Sequence, residues 1–193
     1  KDKEIFVSES NSRFVNDELS ITSSTMEYNK ILNSLNANGN VRIDDKIKDY
    51  KVFAEDINYL RNSDHILTKG KTEAIIGSKY NFKSSDVELR RDENILSSNQ
   101  KTKIVDEKSK LYEIDEFEYN IKSELLKAIN LYIIADSSVP LGSSDNLKFS
   151  NGFFDLKKDT FVAGQTEINL KKESFDNEEN DPRLIGVSSN SKN

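Results

Sequence analysis

Residues 34–43, SLNANGNVRI, place Leu35, Ala37, Gly39, Val41 and Ile43 on one parity and mostly Asn, Ser and Arg on the other. Alternation with a period of two marks a strand with one buried and one wet face. The rhythm returns along the chain. Stretches 18–43, 49–75, 79–105, 109–135 and 146–170 align as five units anchored on Tyr28, Tyr59, Leu89, Tyr119 and Leu156, spaced 31, 30, 30 and 37 residues apart. Self-similarity at such a period predicts stacked copies of one supersecondary unit. The long spacing contains DSSVPLGSSDN, 136–146, which reads as a loop from its Ser, Asp, Gly and Pro.

Each unit has the same grammar. Tyr50, Val52 and Ala54 open an alternating strand; the parity then shifts once, so that Ile57 and Tyr59 carry the apolar side chains. A polar turn follows (RNSD, RRDEN, KKD), then a second alternating strand. One extra residue in a strand flips every later side chain to the other face and bends the strand. The same shift in several units predicts a sheet bent along a line. DEFEYNIKSELLKAINLYI, 115–133, also fits an amphipathic helix through Phe117, Ile121, Leu125 and Ala128. Its register with the neighbouring units assigns it to strands instead.

Composition supports a thin structure. Hydrophobic residues make up 35% of the 193 and charged residues 32%, against roughly 45–50% apolar in ordinary globular domains. Net charge is −6 with no basic stripe, which disfavours nucleic acid and anionic lipid surfaces as partners. The longest apolar cluster, LLKAINLYIIA at 125–135, falls short of the ~18 residues of a membrane helix. With no cysteine there is no disulfide or thiolate metal site in this segment. The opening KDKEIF has no leader-like apolar run, as a processed chain would have none.

Chemistry-bearing patterns are sparse. His65 is the single histidine, beside Asp64, with no serine on a nucleophile elbow. Carboxylates abound, yet none has EF-hand spacing, and there is no Gly-rich phosphate loop. The expectation is a protein that is not an enzyme and uses no metal or other cofactor. Charge runs such as RRDE read as solvated turns.

Two segments carry a family resemblance. SLNANGNVRI and KVFAEDINYLRNSDHILTKGK resemble the OstA-like repeat of lipopolysaccharide transport proteins; later units match less well, Asn99 standing where Gly39 and Gly70 stand. NDPRLIGVSS, 180–189, resembles the end of the amino-terminal periplasmic domain of LptD-type assembly proteins, just before their barrel. The resemblance implies an all-β, folded-over antiparallel β-jellyroll (a β-taco). It implies one domain over 1–185, with 186–193 as a linker toward a C-terminal β-barrel. It also implies a non-enzymatic conduit at the periplasmic face of the Gram-negative outer membrane, passing lipopolysaccharide to that barrel. Implied partners are lipopolysaccharide, an LptA-like bridge subunit at the N-terminal edge strand EIFVSES, the barrel, and an LptE-like plug lipoprotein. Members that link domain to barrel by a disulfide would need cysteines outside this segment. A separate LptA- or LptC-like bridge component, and a structural repeat protein with a sealed core and no ligand, are the alternatives.

An apolar groove would take an acyl chain by burying apolar area, worth roughly 25 cal/mol per Å². That attraction has no direction and lets a chain slide. Parity and apolar character together assign to the groove Val41, Ile43, Tyr50, Val52, Ala54, Ile57, Tyr59, Ile75, Tyr80, Phe82, Val87, Leu89, Phe117, Tyr119, Phe154 and Leu156. Leu35, Ala37, Ala74, Ile114, Ile133, Phe149, Phe161 and Ile168 share the inward parity. Simple core packing is the competing role for most of them.

Overall fold

The computed structural model describes residues 4–140, 142–171 and 183–191. Every regular element in it is a strand. They run β1 (Ile5–Ser8), β2 (Ser12–Val15), β3 (Leu19–Ser23), β4 (Thr25–Asn29), β5 (Ser34–Asp45), β6 (Tyr50–Leu60), β7 (His65–Ile76), β8 (Tyr80–Ser85), β9 (Glu88–Arg90) and β10 (Ile95–Ser98). The chain continues through β11 (Thr102–Asp106), β12 (Leu111–Ile114), β13 (Glu116–Asn120), β14 (Leu125–Ile134), β15 (Asn146–Asp155), β16 (Thr160–Asn169) and β17 (Arg183–Asn190). Residues 115–133, where a helix competed, hold β13 and most of β14, paired Phe117 to Ala128 and Tyr119 to Leu126. All pairings are antiparallel between neighbouring units, as alternating sequence with short turns demands.

The sheet folds over on itself. β5 and β6 lose register between Asn38 and Val41, and β6 and β7 between Ala54 and Asp56. In other places the strand breaks, at Ser24 between β3 and β4, at 86–87 between β8 and β9 and at Asp115 between β12 and β13, while β14, β15 and β16 run through unbroken. Gly39, Asn40, Gly70, Asp86, Asn130 and Gln165 take positive φ along this line. Glycine does so freely and Asn or Asp at modest cost. The parity shift read from sequence lies on this crease: inward residues change from Val52 to Ile57, from Phe82 to Val87 and from Ile114 to Phe117.

Two walls result, each with a continuous apolar column facing inward. On the anchor wall, cross-strand neighbours run Phe6, Tyr28, Leu35, Tyr59, Ile66, Leu89, Leu96, Tyr119, Leu126, Phe154, Phe161. On the facing wall they run Phe14, Ile21, Ile43, Val52, Ala74, Phe82, Ile104, Tyr112, Ile133, Leu147, Ile168, Leu184. The fifth anchor is therefore Phe154. Leu156 sits two residues further on, in the turn after β15, because the insertion at 136–146 shifts the spacing count.

Turns line the two edges opposite the crease. On the anchor wall they are 30–33, 61–64, 91–94, 121–124 and 156–159. Each ends on a residue with φ between 48° and 60°: Asn33, Asp64, Asn94, Glu124 and Asp159. On the facing wall, Asn16, Asp45, Asp106 and Asp136 each accept backbone N–H bonds from residues two to four further on. Asx turns of this kind explain why such short polar clusters reverse the chain.

β17 pairs with β16 from Arg183 to Asn190. The strand thus crosses the 185/186 boundary, and 186–190 belong to the sheet rather than to a linker. EIFVSES likewise forms an edge strand, β1, paired with β4. Residues 180–182 of the NDPRLIGVSS segment lie outside the described residues.

Candidate functional site

The inner faces of the two walls form the candidate site. Of the sixteen groove residues expected from parity, thirteen are buried and face inward: Val41, Ile43, Tyr50, Val52, Ile57, Tyr59, Tyr80, Phe82, Val87, Leu89, Phe117, Tyr119 and Phe154. Ala54 and Leu156 are half-buried, the first beside the crease and the second in a turn. Ile75 faces outward. Its neighbours Ala74 and Ile76 hold the inward positions, and adjacent residues of a regular strand cannot share a face.

The trough is closed along its middle. Rings from opposite walls touch: Phe14 with Tyr59 at 6.2 Å between centroids, Phe82 with Tyr119 at 5.1 Å, Phe82 with Phe117 at 5.5 Å and Phe149 with Phe154 at 5.2 Å. Such spacings are those of directly packed aromatic pairs. Parity leaves a sealed core and a gaping groove equally open; in this conformation the interior is a packed core. Two surface depressions lie outside it, one along the crease beside Phe53, Ala54 and Lys71, another on the outer facing wall beside Ile75, Val105 and Leu111.

The mouth opposite the crease is fastened by charge. Arg91, in the turn after β9, is 2% exposed and reaches across to the facing wall. Its Nη2 donates to Asp45 Oδ2 at 2.8 Å and to Glu18 Oε2 at 3.2 Å, its Nε to Tyr50 Oη at 2.9 Å, and its Nη1 to Asp64. Lys48 donates to the Arg91 carbonyl. Burial alone would lower the arginine's pKa. Tyr50, Asp45 and Asp64 around it more than reverse that, so the guanidinium stays charged. Burial also works against the Asp45 carboxylate, but the Lys48 backbone N–H and Arg91 hold it below the ordinary value. Burial pushes the Tyr59 hydroxyl up to about 12, with Asp64 adding to it.

Two further ion pairs repeat this crossing toward the C-terminal end. Lys79 Nζ lies 2.6 Å from Glu124 Oε1, with Tyr80 Oη donating to the same carboxylate at 3.1 Å. Lys110 Nζ lies 2.8 Å from Asp159 Oδ1. At the N-terminal end Arg61 caps the mouth differently, donating to Tyr28 Oη at 3.0 Å and lying over the rings of Phe14 and Tyr28.

Sequence reading placed RRDE in a solvated turn and so passed over Arg91. A signal was there: Arg61, Arg91, Ile121 and Leu156 each follow an anchor-wall residue by two, and so share its inward parity. A charged residue at an inward position needs a partner. Arg90, of the other parity, lies half-buried on the outer face and pairs with Glu118 at 3.0 Å.

No catalytic constellation gathers among the described residues. His65 Nε2 lies 2.8 Å from Glu88 Oε1, while Asp64 joins the Arg91 cluster instead. No group of three or more His, Asp or Glu there could hold a metal ion.

No family model and no curated protein matches the chain. Among solved structures, it is similar to LptH of Pseudomonas aeruginosa, described as the LptA-homologous periplasmic component of the lipopolysaccharide transport device. The TM-score is 0.45 and the identity 14%, over 65% of this chain and 81% of that one.

Proposed function

We propose that this chain is a non-enzymatic segment of a periplasmic lipopolysaccharide bridge. Its inner apolar columns would carry acyl chains, and each of its ends would continue into a neighbouring β-jellyroll. The observation that supports this best is the state of the ends. Along the middle of the columns the large side chains are buried, but Phe6 at one end is 52% exposed and Leu184 at the other 62%. Ile5, Val7, Ile185 and Val187 are exposed on the same end strands. β1 and β2 pair inward with β4 and β3, and β17 with β16, so both ends offer a backbone edge with no partner among the described residues. Edges of this kind invite another strand, and monomers normally blunt them with charge or proline. Here they carry an apolar stripe.

Within that reading, the finer assignment is the periplasmic domain of an LptD-type protein, with a bridge subunit at β1 and β2 and its own barrel beyond β17. It rests on the resemblance of NDPRLIGVSS. Sedimentation of the purified chain tests the end-to-end part. Concentration-dependent association is expected, weakened about tenfold or more by Phe6→Asp or by Ile185→Asp, since a charge placed in a buried apolar contact costs well over the ~1.4 kcal/mol of a tenfold change. A chain that stays monomeric at every concentration would remove the end-to-end part of the reading.

A further inference from the structure

The three fasteners across the mouth are unequal. The Arg91 cluster is buried, with Asp45 also almost fully enclosed (1% exposed) and Tyr50 packed beneath it. The Lys79–Glu124 pair is different. The lysine side chain is 48% exposed and that of Glu124 15%, and the pair sits in two surface turns, 77–79 and 121–124. A pair with one partner half in water holds less firmly and is screened more by salt than a fully buried one.

Directly behind the Lys79–Glu124 pair lies an unusual group. The Tyr119 hydroxyl is buried, its residue 0% exposed, and it has no hydrogen-bond partner among the described residues. Its ring touches Tyr80 at 5.9 Å, and Tyr80 is the residue bonded to Glu124. A buried hydroxyl left unpaired is a standing cost of the closed state. That cost disappears once the wall moves and water or a ligand oxygen reaches it. The Lys110–Asp159 pair is exposed as well, its aspartate 80%, but only at Lys79–Glu124 do a weak fastener and the Tyr119 hydroxyl coincide, and the strong fastener lies elsewhere.

We propose that the mouth opens at Lys79–Glu124 while Arg91 stays clasped. This makes the 77–80 and 121–124 turns a side gate to the interior, with Tyr119 as the polar contact for an oxygen-bearing acyl chain. The gate stands on this geometry alone; the ligand class rests on the lipid-carrying reading above.

The chain has no cysteine, so spin labels report single sites. One pair, at Ser78→Cys and Lys122→Cys, spans the gate; another, at Ile47→Cys and Asp92→Cys, spans the Arg91 clasp. Lys79→Glu sets two carboxylates against each other at the gate. It is expected to broaden and lengthen the gate distance by roughly half the ~10 Å between packed sheets, leaving the clasp distance narrow. Adding Glu124→Lys restores opposite charge and should return the gate distance to that of the parent. An unchanged gate distance in Lys79→Glu, a clasp that opens with it, or failure of the swap to restore closure would each overturn the gate. Binding of dansyl-labelled undecanoic acid separates the two claims. Lys79→Glu should raise its affinity several-fold, reversed by the swap and weakened by Tyr119→Phe. A gate that opens with no gain in probe binding keeps the gate and overturns the lipid reading.

Discussion

Arg91→Met is expected to cost about 3–5 kcal/mol of stability, the usual penalty for removing one partner of a buried ion pair. At ~2–4 °C per kcal/mol for a chain of this size, the thermal midpoint should fall by roughly 6–20 °C. Most of the loss comes from what stays behind. Asp45, 1% exposed, keeps its backbone bonds from Ile47 and Lys48 but loses its countercharge, and the Tyr50 hydroxyl loses its donor. The effect should depend on pH in a defined direction. Asp45 is held below the ordinary carboxylate value of 3.8, so its contribution is present above that value and is lost as pH falls through its folded-state pKa. The gap in midpoint between parent and Arg91→Met should therefore narrow in acid, below about pH 4. Melting curves at neutral pH and near pH 3 check both statements. An Arg91→Met protein that melts like the parent at neutral pH would show the cluster to be dispensable.

Phe82→Ala is the second large effect, at about 3–5 kcal/mol for a large buried aromatic. Phe82 sits midway along the facing wall, 1% exposed, and meets Phe117 and Tyr119 from the opposite wall. Removing its ring takes away contacts to both walls at once, and the walls can close the gap only by moving at the crease. Phe153→Ala makes the matching control: that ring is 64% exposed on the outer face and should change the midpoint little. Chemical denaturation of both variants separates them. Equal losses would mean that the inner columns are not the structural centre of the molecule.

The folded-over sheet was legible in the sequence because its causes are local. The period of two, the single parity shift between Ala54 and Ile57, and the Asn and Asp turn residues act within a few positions of each other. Pairs such as Leu89 with Leu96 follow from those turns almost automatically. Leu156 was misplaced because an insertion breaks the count, and Ile75 because apolar character was allowed to outweigh parity. Closure of the trough was not legible. Contacts such as Phe14 with Tyr59, 45 positions away in the chain, depend on how sharply the crease bends, which no local pattern states. Arg91 shows the same limit: its partners Glu18 and Asp45 lie 73 and 46 residues away. Only its inward parity marked it in advance.

The central claim is that the inner columns carry acyl chains and the outer faces do not. Photocrosslinking tests it most directly. Benzoylphenylalanine at Phe82, Phe117 or Phe149 should form adducts with lipopolysaccharide on irradiation, while the same group at the outward-facing Phe53 or Phe153 should form none. Adducts absent from all three inner positions, or equally abundant at the outer ones, would contradict it.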